Sequence, residues 1–418
     1  MSAPDPRRTS RALTWEFLFQ NLFSYATEGV VFTGLALWLG ATTIQIGLLG
    51  SIGGFGFAAI LVAPWLVRAA RGSRRIVMMT VYAIRLCSRV GILLLLFTRP
   101  PDAVWWLLAL AGIARIASAL YAPLSRAWIS DAIPPAEHSR FLSTRLSVAM
   151  IGAVVAPPLA GALVDALPGT AGFALAFGTG LLFGTVALWL LASAHDSAAG
   201  QPARQSVRGQ VTRSLRFGPF RRMYLFQTAT AFADGLGASF LDILYLKYLG
   251  LSFFLINAFL AASKAAKGLS AFANRWLQKH HEPLPLFQVS VVISALIPLL
   301  LIGATPGAAV LVAVALILQE AARGIMSPAE QTLIMRWGSR GDQTGDFTLI
   351  FFSRGLVSAF TPLLTAALLR SVFGLDVQAD TIDPRPIHLL IGAGVALKLL
   401  ALLLMPRRAD AATRDEST

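Results

Sequence analysis

Continuous apolar runs of about 20 residues recur along the chain, each ended by a short polar or proline-bearing break. That pattern predicts helices long enough to cross a hydrocarbon core of about 30 Å. Spans are expected near 14–38, 44–67, 76–98, 103–128, 141–165, 171–193, 219–246, 252–276, 285–303, 307–327, 346–370 and 387–405. The breaks fall at Arg99-Pro100-Pro101-Asp102, Pro134-Pro135, Pro168-Gly169, Pro283 to Pro285, Pro306-Gly307 and Pro384 to Pro386, where helices stop readily. An even number of spans puts both termini on one side. The runs are continuous rather than alternating, which excludes a membrane β-barrel.

Composition agrees with this. The 418 residues are 56% hydrophobic and only 13% charged, about half the charge of a soluble globular protein, so lipid is the main solvent. The single cysteine, Cys87, excludes a disulfide scaffold and any zinc site built on cysteine pairs. A net charge of +14 would point to nucleic acid in a soluble protein, but here the bases lie mostly in alternate loops. One set holds Arg7, Arg8 and Arg11; Arg68, Arg71, Arg74 and Arg75; Arg140; Arg204 to Arg222; Arg275 and Lys279; Arg336 and Arg340; and Arg407 and Arg408. The opposite loops offer little beyond Arg99, Lys247, Arg370 and Arg385. The positive-inside bias therefore places both termini in the cytoplasm and makes nucleic acid an unexpected partner. The expected organisation is a cytoplasmic tail over 1–13, a six-helix bundle over 14–193, a solvated Ala/Ser/Gln/Arg-rich linker over 194–218, a second bundle over 219–406 and a tail over 407–418. The first apolar run is too long for a cleaved signal peptide, so it is read as a retained helix.

The two halves repeat at a shift of about 206 residues. Phe17-Leu18-Phe19-Gln20 opens the first span and Tyr224-Leu225-Phe226-Gln227 the seventh. Tyr121-Ala122-Pro123 matches Met326-Ser327-Pro328, and Phe141 and Ser147 match Phe347 and Ser353. The fold class is thus an all-α integral membrane protein with about twelve transmembrane helices in two pseudo-symmetric six-helix bundles. Two bundles related by an axis along the membrane normal suggest a substrate site near the midplane and alternating access.

Span count, central linker and repeat together resemble the major facilitator superfamily of secondary transporters. The loop after span two, Pro64 to Arg75, is similar to that family's loop of Gly, small and apolar residues, Asp-Arg and then Gly-Arg-Arg or Gly-Arg-Lys, keeping Gly72, Arg74 and Arg75 but lacking the acid. Span four, Arg115 to Ala122, resembles the family's intramembrane Arg motif, and Asp131-Ala132-Ile133-Pro134 with Arg140 resembles the loop that follows it. Gly152-x-x-x-Ala156-Pro157-x-x-Ala160-Gly161 resembles the span-five motif of proton-driven drug exporters, with Ala at two glycine positions. The resemblance implies gating or conformational roles for Gly72, Arg74, Arg75, Asp131, Arg140, Gly152, Pro157 and Gly161. The plainer reading is topology for the arginines and close small-residue packing for the glycines and alanines. It also implies a monomer that exports a small amphipathic compound in exchange for protons; a symporter or uniporter, or a non-transporting sensor or scaffold, are the alternatives.

Charges inside spans narrow the candidates, since each costs at least ~2.5 kcal/mol at a helix centre unless paired or wet. Glu28 follows Gln20 and Ser24 on one helical stripe, and Asp234 is its approximate counterpart in span seven. A carboxyl held away from water is driven toward its neutral form, as a proton carrier requires, so both are expected to couple protons or bind substrate; a permanent pair with a neighbouring Arg is the competing reading. Glu320 and Arg323 share a face of span ten, Arg115 is deep in span four, and Lys264 and Lys267 are three apart in span eight. Arg85 and Arg89 sit in span three; Arg145, Arg354 and Lys398 are expected to snorkel. Deep bases outnumber deep acids, which favours an anionic or zwitterionic substrate unless Arg85 and Arg89 face headgroups or a neighbouring acid. The five histidines show no metal-ligand spacing and there is no nucleotide loop, so neither an enzyme, a metal nor a cofactor is expected. Short loops and Arg in preference to Lys suggest a bacterial inner membrane, with lipid and a small molecule as partners.

Overall fold

The computed structural model describes residues 6–57, 66, 73–132, 138–194, 218–337, 344–379 and 381–405, and every regular element among them is helical. By contact the chain divides into two compact units, Met1–Ala203 with Leu251–Ala261, and Arg204–Gly250 with Ala262–Thr418. The first unit contains α1 (Pro6–Thr27), α2 (Val30–Trp38), α3 (Thr43–Gly56), α4 (Arg74–Thr98), α5 (Ala103–Ala132), α6 (His138–Ala166) and α7 (Thr170–Ser193). The second contains α8 (Gly218–Ala238), α9 (Leu241–Ile243) running into a π turn (Leu244–Tyr248), α11 (Pro283–Leu296), α12 (Leu299–Ile302), α13 (Val310–Trp337), α14 (Thr344–Ser371) and α15 (Arg385–Ala401). The helix α10 (Phe253–His280) begins with the first unit and ends with the second.

Twelve helical segments stand where apolar runs were expected, but their ends differ. The first helix begins at Pro6, inside the expected tail, because Arg7 to Leu13 continue a helical face whose Thr9, Ala12 and Leu13 are buried. Two spans expected to be continuous are broken. Span one stops at Thr27 and restarts at Val30, with Gly29 at φ 66°, a left-handed conformation open to glycine. Span seven breaks after Ala238, and span nine breaks before Pro298, which cannot donate to the helix.

Nine of the described helices are long and apolar enough to cross a membrane by composition alone. The helix α10 fails that test because Lys264 and Lys267 interrupt it, yet Leu269, Phe272 and Trp276 on its other side are 74%, 72% and 63% exposed. Apolar side chains presented outward in this way suit contact with lipid.

The internal repeat is visible in the packing. In the first unit α1 packs on α6 and α7, and α4 on α5 and α7; in the second α8 packs on α14 and α15, and α11 on α13 and α15. Span one against spans five and six, and span three against spans four and six, are thus reproduced six spans later. The cores follow suit: Phe23 meets Tyr82 at 6.2 Å in one unit and Phe226 meets Phe287 at 5.7 Å in the other. Small residues let helices approach, as at Gly152, where an added Cβ would lie 3.2 Å from Leu18 on α1.

Candidate functional site

The break in span one sets the polar centre of the first unit. Glu28 lies in that break, where its carboxylate meets three guanidiniums: Arg89 Nη2 at 3.2 Å, Arg115 Nη1 at 3.2 Å and Arg85 Nη2 at 4.0 Å. Arg85 and Arg89, four apart on one face of α4, are each only 3% exposed. Arg85 also donates to Ser24 Oγ at 3.0 Å and lies 5.4 Å from the rings of Phe23 and Tyr82; Arg89 lies 4.9 Å from Phe32. Span three therefore turns its bases into the unit rather than toward headgroups, and the neighbouring acid is Glu28. The side chain of Arg115 is 43% exposed. With every group ionised the cluster carries two surplus positive charges.

The second unit has a cluster of the same balance on different helices. Glu320, 6% exposed, meets Arg323 Nη1 at 2.7 Å, Lys267 Nζ at 3.2 Å and Lys264 Nζ at 3.5 Å. Lys267 and Arg323 are 44% and 41% exposed. Helices α10 and α13 come close because Gly324 faces the backbone of Lys267, whose carbonyl would lie 2.6 Å from an added Cβ.

Asp234 does not share its cluster with these groups. Its Oδ1 accepts from Lys398 Nζ at 2.8 Å, and Lys398 also donates to Ser294 Oγ at 3.0 Å. Lys398 was expected to snorkel; instead it is 4% exposed, because the Asp234 carboxylate and the buried Ser294 hydroxyl satisfy its ammonium. Asp234 itself is 44% exposed. Glu28 and Asp234 therefore differ in setting: three bases against one.

Arg145 was likewise expected to snorkel and is buried instead. It donates to Glu16 Oε2 at 3.5 Å and Ser125 Oγ at 3.3 Å and stacks 4.1 Å from Phe17, while Tyr121 donates a short hydrogen bond to Glu16 Oε1. Glu16 is fully buried and escaped the sequence reading, although it stands one step before Gln20, Ser24 and Glu28 on the same four-residue ladder. Arg354 pairs with Glu330 at 3.1 Å rather than extending to the interface alone, so each unit ties its fifth span to its fourth through an arginine.

The motif residues divide. Gly72 lies outside the described residues, as do the side chains of Arg74, Asp131 and Arg140. Arg75 donates a short hydrogen bond to the carbonyl of Ala192 at the end of α7. Pro157 and Pro158 sit within α6. One turn on, Gly161 faces the start of α10 so closely that a Cβ would lie 2.5 Å from Phe253 O and 2.7 Å from Phe254 N. Next to it Asp165 accepts from the backbone amides of Phe253 at 3.1 Å and Phe254 at 2.6 Å, capping α10 from a distant helix. Among the described residues no group of His, Cys, Asp and Glu could hold a metal ion.

Comparison with known proteins agrees with this architecture. The family model described as Major Facilitator Superfamily matches residues 17–305. No curated protein matches the chain in sequence. Among solved structures, a bacterial homolog of the human lysosomal transporter Spinster, inward-facing and occupied, aligns with TM-score 0.72 at 17% identity over 97% of each chain. The nucleoside transporter NupG aligns with TM-score 0.72 at 13% identity, over 95% of this chain and 98% of that one. The human organic anion transporter MFSD10 aligns with TM-score 0.59 at 17% identity, over 97% of this chain and 100% of that one. At these identities the likeness carries the fold alone.

Proposed function

Since the chain belongs to the major facilitator superfamily, we propose that this multi-pass membrane transporter works by alternating access and exports a small amphipathic, anionic or zwitterionic compound in exchange for protons. The observation that carries the cargo's charge is the pair of clusters in which one carboxylate holds three bases. Their partly exposed members, Arg115, Lys267 and Arg323, present unbalanced positive charge, which attracts carboxylates and phosphates and disfavours lipophilic cations. The family's solved members differ in cargo, nucleosides in one and organic anions in another, so the fold alone names none.

Coupling belongs to Asp234 in this reading. Protonating Glu28 or Glu320 would leave three clustered cations without a counter-charge, whereas Asp234 faces one ammonium and is reachable. Glu28 and Glu320 then hold the bases in place. Gly152, Pro157 and Gly161 supply the close, kinkable packing a moving helix needs, with Gly72, Arg74, Arg75, Asp131 and Arg140 acting at the cytoplasmic loops. The protein is a monomer of a bacterial inner membrane with both termini cytoplasmic.

Proteoliposomes with an imposed pH gradient test the coupling: matched anionic and cationic amphiphiles are offered, and the anion should accumulate against its gradient. Asp234→Asn, combined with Lys398→Met so that no buried ammonium is stranded, should abolish accumulation and retain downhill exchange. Flux indifferent to pH and to membrane potential would make the protein a uniporter, and cation transport surviving Arg115→Gln and Lys264→Gln would refute the cargo assignment. Reporter fusions at Ser197 and Asp380 should report opposite sides of the membrane.

A further inference from the structure

Wholly within the second unit is a cavity of about 170 Å³, bounded by α8, α9, α11, α12, α13 and α15. Most of its wall is aliphatic, with Leu301, Leu316 and Ile391 among the lining side chains, and its polar wall is Asp234, Gln319, Arg323 and Lys398. These polar groups are ordered by a network that joins four helices: Gln319 Nε2 to Ser294 Oγ at 2.9 Å, Lys398 Nζ to Ser294 Oγ at 3.0 Å, and Lys398 Nζ to Asp234 Oδ1 at 2.8 Å. The network consumes the charge of Lys398, which is buried behind it.

Three polar groups remain available. Asp234 keeps Oδ2, which has no partner among the described residues, on a side chain 44% exposed. Gln319 keeps one end of its amide, since its buried Oε1 has no partner and the amide can turn to offer either atom. Arg323 uses Nη1 on Glu320 and has further N–H groups on a side chain 41% exposed. An anionic acceptor and a cationic donor on one polar wall, facing aliphatic side chains, form a receptor for a molecule with a charge of each sign and an apolar body. A dry cavity of about 150 Å³ admits benzene, so this one has room for a branched aliphatic or single aromatic group.

We propose that this cavity binds a small zwitterion of the apolar α-amino acid type, its ammonium on Asp234, its carboxylate on Arg323 and Gln319, and its side chain against Leu301, Leu316 and Ile391. The site deepens the transport reading and rests on it for the ligand's role as cargo, whereas binding itself needs no gradient. A zwitterion also accounts for a positively biased protein retaining a reachable carboxylate here.

Binding of L-leucine and L-phenylalanine to the purified full-length chain in nanodiscs, followed by calorimetry, tests the proposal beside leucinamide, which lacks the carboxylate, and N-acetylleucine, which lacks the ammonium. The amino acids should bind saturably and both analogues about tenfold more weakly or worse, one charged contact being worth about that factor. Arg323→Gln should weaken leucine about tenfold and leave leucinamide unchanged, a pattern general unfolding cannot produce. Asp234→Asn strands a buried ammonium, so it is examined together with Lys398→Met; that pair should abolish the preference for leucine over N-acetylleucine. Absent saturable binding, or analogues that bind as well as the amino acids, overturns the site even if proton-driven flux of another cargo persists. Saturable, charge-selective binding without gradient-driven flux would instead overturn the transport reading.

Discussion

Glu28→Gln removes the one carboxylate from a group of three guanidiniums while preserving the side chain's shape. Breaking a buried ion pair costs about 3–5 kcal/mol because the remaining charge stays out of water. Arg115, at 43% exposed, can turn to solvent and adds nothing to that figure. Arg85 keeps Ser24 and two aromatic rings. The cost therefore centres on Arg89, whose ion pair is with Glu28 alone, and falls near the low end, about 3 kcal/mol. For a unit of this size that lowers Tm by about 6–12 °C, measured by tryptophan fluorescence on the purified protein. Adding Arg89→Met should recover at least half of the loss, since it removes the stranded charge. Transport below Tm should keep its pH dependence in Glu28→Gln, since Glu28 anchors bases rather than exchanging protons. A variant within about 1 °C of the parent, or a double variant no better than the sum of the singles, would refute the pairing argument. A flattened pH profile would move coupling to Glu28.

Gly161→Ala should cost about 1–3 kcal/mol, because its Cβ would meet backbone of Phe253 and Phe254 that cannot turn aside, whereas Gly178→Ala, with nothing within 4 Å, should be neutral or stabilising in the same melting assay. Asp165→Asn weakens the cap on α10 by about 1 kcal/mol, and hydrogen exchange at the amides of Phe253 and Phe254 should rise by about fivefold while the end of α7 is unchanged. Arg145→Met strands the fully buried Glu16 and should destabilise by about 3–5 kcal/mol; combining it with Glu16→Gln should restore most of that, and a double variant as unstable as the single would show that Glu16 is satisfied by Tyr121 alone.

Much of this fold was legible without coordinates, because lipid offers the backbone no partner and so forces each long apolar run into a helix. The twelve segments follow from that constraint, while the breakers between them, the 206-residue repeat and the family resemblance carried by Gly152, Pro157 and Gly161 are patterns of residue identity along the chain. The ladder of Gln20, Ser24 and Glu28 was also written in the chain, and Glu16 extends it by one step toward the N-terminus. What the sequence left open was how each helix is rotated and which neighbour it meets. Arg145 and Lys398 read as snorkelling bases until α6 and α15 turned them inward onto Glu16 and Asp234, residues 129 and 164 positions away. Glu28 and Asp234 occupy matching places in the repeat, yet α4 and α5 bring three arginines to the first while α15 brings one lysine to the second. Hydropathy is a property of single residues and survives in one dimension; the balance of charge around a carboxylate depends on helix rotation and on partners far off in the chain, and only tertiary packing decides it.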